Sequence, residues 1–111
     1  MSKYNARKTQ ASGRVFDSKA EARRYRELTL LLQVGEITDI ECQPKFLLQE
    51  GYKKNGKSVR PIYYIADFKV KYADGREEIE DVKSSATKTP LYKLKKKMFE
   101  KLYPYTIKEI M

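Results

Sequence analysis

The stretch Ile62–Lys83, IYYIADFKVKYADGREEIEDVK, decides the fold. Two runs rich in branched and aromatic residues or in alternating charge, Ile62–Tyr72 and Glu77–Lys83, flank Ala73-Asp74-Gly75. Branched and aromatic side chains suit a pleated, half-buried surface, and Asp-Gly between such runs turns the chain back, so the pattern predicts an antiparallel hairpin. Its register depends on the turn. A two-residue turn at Asp74-Gly75 sets Asp67 opposite Val82, whereas a three-residue loop, Ala73–Gly75 with Gly75 left-handed, sets Asp67 opposite Asp81. Both turns suit the sequence. Only the second brings Asp67 to the face that Asp81 and Lys83 share through the two-residue period of a strand.

Outward from the hairpin, Gly51–Arg60 (GYKKNGKSVR) reads as a polar turn region around Asn55-Gly56. Before it, Ile37 to Gln49 reads as extended and interrupted at Pro44, with Ile40, Phe46 and Leu48 as apolar anchors and Cys42 as a small core residue. A helix is expected between a cap at Asp17 or Ser18 and a left-handed stop at Gly35, with Glu21, Tyr25, Leu28 and Leu32 along one stripe. After the hairpin, Ser84–Thr89 reads as a mobile loop, and Thr89 caps a second helix with Pro90 in its first turn. Leu91, Leu94, Met98 and Leu102 form that helix's expected buried stripe; Tyr103-Pro104 ends it and Tyr105–Ile110 reads as a last strand. The expected fold is α/β, ordered helix–three strands–helix–strand, with a mixed central sheet flanked by helices. Residues 1–16 read as a flexible basic arm and residues 17–111 as a single domain.

The 111 residues hold 24 Lys and Arg against 15 Asp and Glu, a net charge of +9. Residues 1–26 carry eight basic and two acidic side chains and residues 84–111 seven and two, around a middle, residues 27–52, with one and five. Basic ends on a small domain suggest a polyanion such as nucleic acid. With no His, the chain cannot run Ser-His-Asp catalysis or a His-based zinc site, and with Cys42 alone it cannot form an internal disulfide. Catalysis must use carboxylates, Lys, Tyr or Ser, around a hard cation that carboxylates hold. The start, Met1–Lys8, lacks the apolar stretch of a signal peptide and no run approaches spanning length, so a cytoplasmic protein without a membrane partner is expected.

Asp81-Val82-Lys83 is the first candidate motif. Two aspartates on one face repel unless a cation lies between them, and a divalent ion with oxygen ligands from Asp67, Asp81 and the Val82 carbonyl resolves the repulsion. Lys83 beside it could orient the attacking water or stabilise charge on a phosphate in flight, a combination suited to phosphodiester hydrolysis. In isolation, Asp-x-Lys is common in so charged a chain, and Glu80 is a decoy on the opposite face of the strand. Glu21 has two readings: the second half of a Ser18-x-x-Glu21 capping box, or a carboxylate on a core-facing stripe that needs a partner such as a metal site. On the second helix, Lys93, Lys95, Lys96, Lys97 and Lys101 crowd together with Glu100 alone opposing them, a repulsion that a phosphate backbone would relieve. Lys88, Lys93, Lys96 and Lys97 are therefore candidate DNA contacts, joined by Arg7, Lys8 and Arg14 of the arm.

Together, Asp67, Asp81-x-Lys83 on the paired strand and Glu21 on the preceding helix resemble the PD-(D/E)XK nuclease superfamily over roughly residues 17–110. FDSKAEARRY, YIADF and EDVKSSATKTPLYKLKKKMFEK look like a small phage-encoded branch proposed as junction-resolving nucleases. Ala66 stands where the superfamily often has Pro, a variable position. The resemblance implies a restriction-endonuclease-like core and Mg²⁺-dependent DNA cleavage, with Mn²⁺ as a possible substitute. It further implies Asp67 and Asp81 as metal ligands, Lys83 as catalytic lysine and Glu21 as the helix carboxylate. Branched DNA, with Holliday-junction resolution in recombination as the specific expectation, follows from this analogy, and paired cuts at a two-fold junction imply a homodimer. The rival readings are a sequence-specific nicking or homing-type endonuclease and, from another class, a non-catalytic DNA-binding accessory protein of replication or recombination.

Overall fold

A computed structural model describes residues 9–11 and 14–111, with side chains from Val15 onward. The described elements are β1 (Thr9–Ala11), β2 (Arg14–Phe16), α1 (Lys19–Gln33), β3 (Ile37–Cys42), β4 (Lys45–Gln49), β5 (Tyr52–Lys54), β6 (Lys57–Val59), β7 (Ile62–Ile65), β8 (Phe68–Tyr72), β9 (Glu77–Val82), α2 (Pro90–Leu102) and β10 (Ile107–Ile110). A four-stranded sheet has the order β10-β9-β8-β3, and β10 runs parallel to β9, so the class is α/β with a mixed sheet. The chain divides into two compact units, residues 1–40 with 70–77 and residues 41–69 with 78–111.

In the first unit the hairpin loop has three residues. The Tyr72 amide donates to the Arg76 carbonyl at 2.8 Å, the Gly75 amide donates to the Tyr72 carbonyl at 3.0 Å, and Gly75 has φ +93°. A side chain there would be strained, which is why glycine closes the loop. Helix α1 starts at Ser18, whose Oγ accepts from the Glu21 amide at 3.1 Å. It ends in a Schellman arrangement: Gly35 at φ +81° donates to the Leu32 carbonyl and the Glu36 amide donates to the Leu31 carbonyl. Ala22 and Leu28 are its buried residues, and the Phe16 ring lies 5.0 Å from that of Tyr25. Leu32, expected in the buried stripe, is exposed together with Leu30 and Val34, because the burial of α1 does not extend into its last turn. Within the stretch read as an arm, β1 and β2 pair antiparallel, Thr9 opposite Phe16.

In the second unit the expected strand Ile62–Tyr72 is two strands. β7 pairs antiparallel with β4, whereas β8 belongs to the four-stranded sheet. The partner chain breaks at the same place: Gln43 takes φ +54° and Pro44 has no amide to offer a ladder. Across the double break, the Gln43 amide donates to the Asp67 carbonyl at 2.9 Å and the Ala66 amide to the Pro44 carbonyl at 3.1 Å. Gly51–Arg60, expected as a turn region, is a ribbon of two strands, β5 and β6, paired antiparallel. Ser84–Thr89, expected as a mobile loop, is a turn closed by Thr87, whose Oγ1 accepts from the Ser84 amide at 2.7 Å.

Helix α2 links β9 to its parallel neighbour β10. Thr89 Oγ1 accepts from the Tyr92 amide and Pro90 occupies the first turn, as the sequence predicts. Its buried face, however, is not the leucine stripe. Leu91, Leu94 and Leu102 are 55–60% exposed, and Tyr92 and Phe99 are the buried residues. Two aromatic rings a full two turns apart bury more apolar surface than the leucines would, and Phe99 completes an aromatic cluster. Its ring centroid lies 4.8 Å from Phe46, 5.2 Å from Tyr64 and 5.1 Å from Tyr103. Leu48, Ala66, Ile79 and Ile107 complete this core.

The helix phase is directly testable. Phe99→Ala should cost about 3–5 kcal/mol in urea unfolding, whereas Leu94→Ala should change stability by about 0.5 kcal/mol or less. Comparable losses at the two positions would reverse the assignment of the buried face.

Candidate functional site

The second unit carries a chain of interacting polar groups built on β7, β9, α2 and β10, with Asp67 just after β7. Asp81 on β9 is 2% exposed. A carboxylate so buried needs partners, and it has two. The Tyr64 hydroxyl on β7 donates to Asp81 Oδ2. On the other side, Lys83 Nζ lies 3.5 Å from Asp81 Oδ1. The ammonium of Lys83 also sits 4.3 Å above the Tyr92 ring, a cation–π contact that holds it next to the carboxylate.

Asp67 closes the break between β7 and β8. Its amide donates to the Glu80 carbonyl at 3.1 Å, and its Oδ2 accepts from the Val82 amide at 2.7 Å. The Asp67 carboxylate is thus anchored to the residue between Asp81 and Lys83, so all three members of the predicted motif belong to one hydrogen-bonded region. Glu80 is fully buried, in keeping with its place on the opposite face. Val82 is opposite Ile110, and the Lys83 amide donates to the Ile110 carbonyl at 2.8 Å, fixing this strand end.

A second carboxylate, half-buried on the edge strand β10, went unread in the sequence. Glu109 on β10 is in register with Asp81 on β9. The Tyr92 hydroxyl donates to Glu109 Oε2 at 2.8 Å, and Lys88 Nζ lies 2.8 Å from Glu109 Oε1. The Lys88 and Tyr92 bonds hold the Glu109 carboxyl below its usual value. Burial, followed by the charge and hydrogen bond of Asp81, pushes the Tyr64 phenol well above its usual value. Burial and the bond to Glu109 do the same to Tyr92. Tyr64 lies within the YIADF stretch, but nothing local marks it as the partner of a residue 17 positions away. The parallel register of β10 is the signal that would have found Glu109.

Two hollows open on this network. One, of about 280 Å³, is lined by Tyr64, Asp81, Lys83, Tyr92 and Lys95 among others. The second, of about 300 Å³, is lined by Lys88, Lys93, Lys96, Lys97, Glu100 and Glu109. All four lysines predicted as DNA contacts in this half of the chain therefore line one hollow. Lys88 is paired to Glu109 and Lys96 lies 4.0 Å from Glu100, while Lys93 and Lys97 have no ion-pair partner among the described residues.

Glu21 is in the first unit, half-buried in the first turn of α1, with its amide on Ser18 as the capping box requires. Arg7 and Lys8 lie outside the described residues, and of Arg14 only the backbone, in β2, is described. Among the described residues no cluster of three or more His, Cys, Asp or Glu is arranged to hold a metal ion. No described helix is long and apolar enough to cross a membrane.

The site is thus an acid–lysine pair with phenolic support at the end of β9, an interior strand of a mixed sheet. A family model described as a protein of unknown function, DUF1064, matches residues 1–110, and the chain belongs to that family. No curated protein and no solved structure matches it.

The shifted phenols give an expected titration. Absorbance near 295 nm should show Tyr64 and Tyr92 staying protonated where ordinary tyrosines ionise, and released together on unfolding. Because their folded values are raised, the stability they contribute is intact below the unfolded value of about 10 and falls as pH rises beyond it. Tyr64→Phe, which strips Asp81 of a donor, should cost about 1.5–3 kcal/mol at neutral pH.

Proposed function

We propose that the chain is a metal-dependent DNA endonuclease acting on branched DNA. The observation that carries this reading is the buried Asp81 carboxylate with Lys83 Nζ 3.5 Å away and the Asp67 carboxylate tied to the intervening Val82 amide. A carboxylate pair beside a cation is the equipment phosphodiester hydrolysis needs when no imidazole is available.

The donor set suits a hard cation. Mg²⁺ binds through one or two carboxylates and keeps several waters, so Asp67 and Asp81, with the Val82 carbonyl, would hold it. Mn²⁺ has the same preference for oxygen. The ion would supply an activated water and offset negative charge at phosphorus. The protein's own groups do the positioning. Tyr64 fixes one oxygen of Asp81 and leaves the other toward Lys83. Tyr92 keeps the Lys83 ammonium over its ring, where it can meet developing charge on a phosphate oxygen. Lys93 and Lys97, without ion-pair partners among the described residues, suit backbone phosphates. Glu21 enters as the helix carboxylate by resemblance alone. The preference for four-way junctions likewise comes from the resemblance. So does the homodimer, for which the exposed leucines of α2 are an available apolar surface.

The test is cleavage of a labelled four-way junction and a matched linear duplex, with Mg²⁺ or EDTA, beside Asp81→Asn and Lys83→Gln. Expected are paired cuts near the branch that need the metal and fall by at least about 100-fold in either variant, with DNA affinity retained. Equal cutting of both substrates would remove the junction preference and keep the nuclease. Cutting tied to base sequence would indicate a nicking or homing-type enzyme. Binding without cutting under any divalent metal would favour the accessory DNA-binding protein, in which Asp81 is satisfied by Tyr64 and Lys83 for structural reasons alone.

A further inference from the structure

The β5–β6 ribbon has no role in the site described above. Tyr52 is opposite Val59, Lys53 opposite Ser58, and Lys54 opposite Lys57, joined by Asn55 and Gly56 at φ +53° and +77°. Both central residues are left-handed, the two-residue hairpin geometry whose twist matches the strands. The two strands form a sheet of their own and every residue in them is exposed. A two-stranded ribbon standing alone is marginal in water, so its retention needs a reason. Its base is tightly closed: a Cβ at Gly51 would lie 3.0 Å from the Val59 carbonyl oxygen and 3.1 Å from Pro61 Cδ.

The charge on this ribbon is unmatched. Residues 51–60 contain Lys53, Lys54, Lys57 and Arg60 and no acidic residue. None of the four has an ion pair among the described residues, in contrast with Lys83, Lys88 and Lys96. Lys54 and Lys57 face each other directly beside the turn, a like-charge pair that destabilises a hairpin. Alternation puts Lys53 on one face of the ribbon and Lys54 and Lys57 on the other, the latter with the half-exposed Tyr52. A flat anionic surface would engage one of these faces. A groove with phosphates on both walls engages both, and the major groove of a duplex admits a two-stranded ribbon.

We propose that the β5–β6 ribbon is a DNA-binding arm that enters a groove of duplex DNA and contacts phosphates through Lys53, Lys54 and Lys57. The assignment rests on the reading of DNA as the polyanion and is independent of whether Asp81 takes part in cleavage.

Its test is fluorescence anisotropy of the full chain with a labelled linear duplex, titrated in EDTA over a range of KCl, so that binding is read without cleavage. The variants are Lys53→Gln/Lys54→Gln/Lys57→Gln and a charge-matched control at exposed basic residues elsewhere, Lys19→Gln/Arg23→Gln/Lys71→Gln. Circular dichroism checks that both fold. Loss of three phosphate contacts should make the slope of log K against log salt shallower by about 2–3, with affinity about 10- to 100-fold lower at low salt and the control closer to wild type. An unchanged slope, or an equal change in the control, would overturn the arm. Retention of duplex affinity with loss of binding to vesicles containing phosphatidylserine would overturn it in favour of a membrane contact. Failure of the nuclease reading is seen separately, as absence of cutting by wild-type chain that still binds DNA through the ribbon.

Discussion

A carboxylate buried on β9, an interior strand of the four-stranded sheet, is the constraint on which the second unit is arranged. A carboxylate at 2% exposure is costly to bury without polar partners, and Asp81 has them. Tyr64 reaches it from a different, two-stranded sheet, and Lys83 reaches it from just past the end of β9. Each donor is itself held. The Tyr64 ring is part of the cluster around Phe99, and the Lys83 ammonium lies over Tyr92, whose hydroxyl is committed to Glu109. Removing Tyr64 or Lys83 leaves the buried Asp81 with one donor fewer, so the network couples these positions.

Asp67 makes that arrangement possible by ending one strand and starting another. Its carbonyl, amide and carboxylate all act across the break: toward Gln43, Glu80 and Val82 respectively. The side chain takes up a backbone donor of β9, so the ladder can be interrupted without an orphaned amide. Once the chain is released from the four-stranded sheet at Ala66, β7 can pair with β4 and carry Tyr64 to Asp81. The same residue that the motif marks for chemistry is thus required by the backbone, and a substitution there disturbs both.

Much of this was legible in the sequence, for identifiable reasons. The hairpin was readable because Asp74-Gly75 and the runs around it signal locally, and the loop's length alone fixes which side chains share a face. The capped starts of α1 and α2 at Ser18 and Thr89 and the stop at Gly35 are local too. The division of Ile62–Tyr72 was not legible, because its branched and aromatic residues favour a strand throughout and the break depends on bonds to Gln43 and Val82. The phase of α2 misled for a similar reason. Two stripes fit the helical period, and the one through Tyr92 and Phe99 is interrupted by Lys95 and Lys96, whose stems can lie along apolar surface while their charges reach solvent. Hydropathy favours the leucines; ring packing and a carboxylate waiting for the Tyr92 hydroxyl favour the other face. Within the site, Asp67, Asp81 and Lys83 were marked by spacing, while Tyr64 and Glu109 depend on pairings between distant strands.

The distribution of charge divides along the same line. In the second unit, acidic groups near the sheet edge are matched: Asp81 by Tyr64 and Lys83, Glu109 by Tyr92 and Lys88, and Glu100 by the Ile107 amide with Lys96 nearby. The net +9 of the chain is therefore not a reserve that stabilises the interior. Among the described residues, cations without an ion pair lie on outward elements, on α2 lysines such as Lys93 and Lys97 and on a ribbon whose two sides both carry lysine. Self-repulsion of that kind lowers the stability of the isolated chain and is relieved by a polyanion. With the anions near the sheet matched and some lysines of α2 and the ribbon left without ion pairs, a polyanion could be met without rearranging the core.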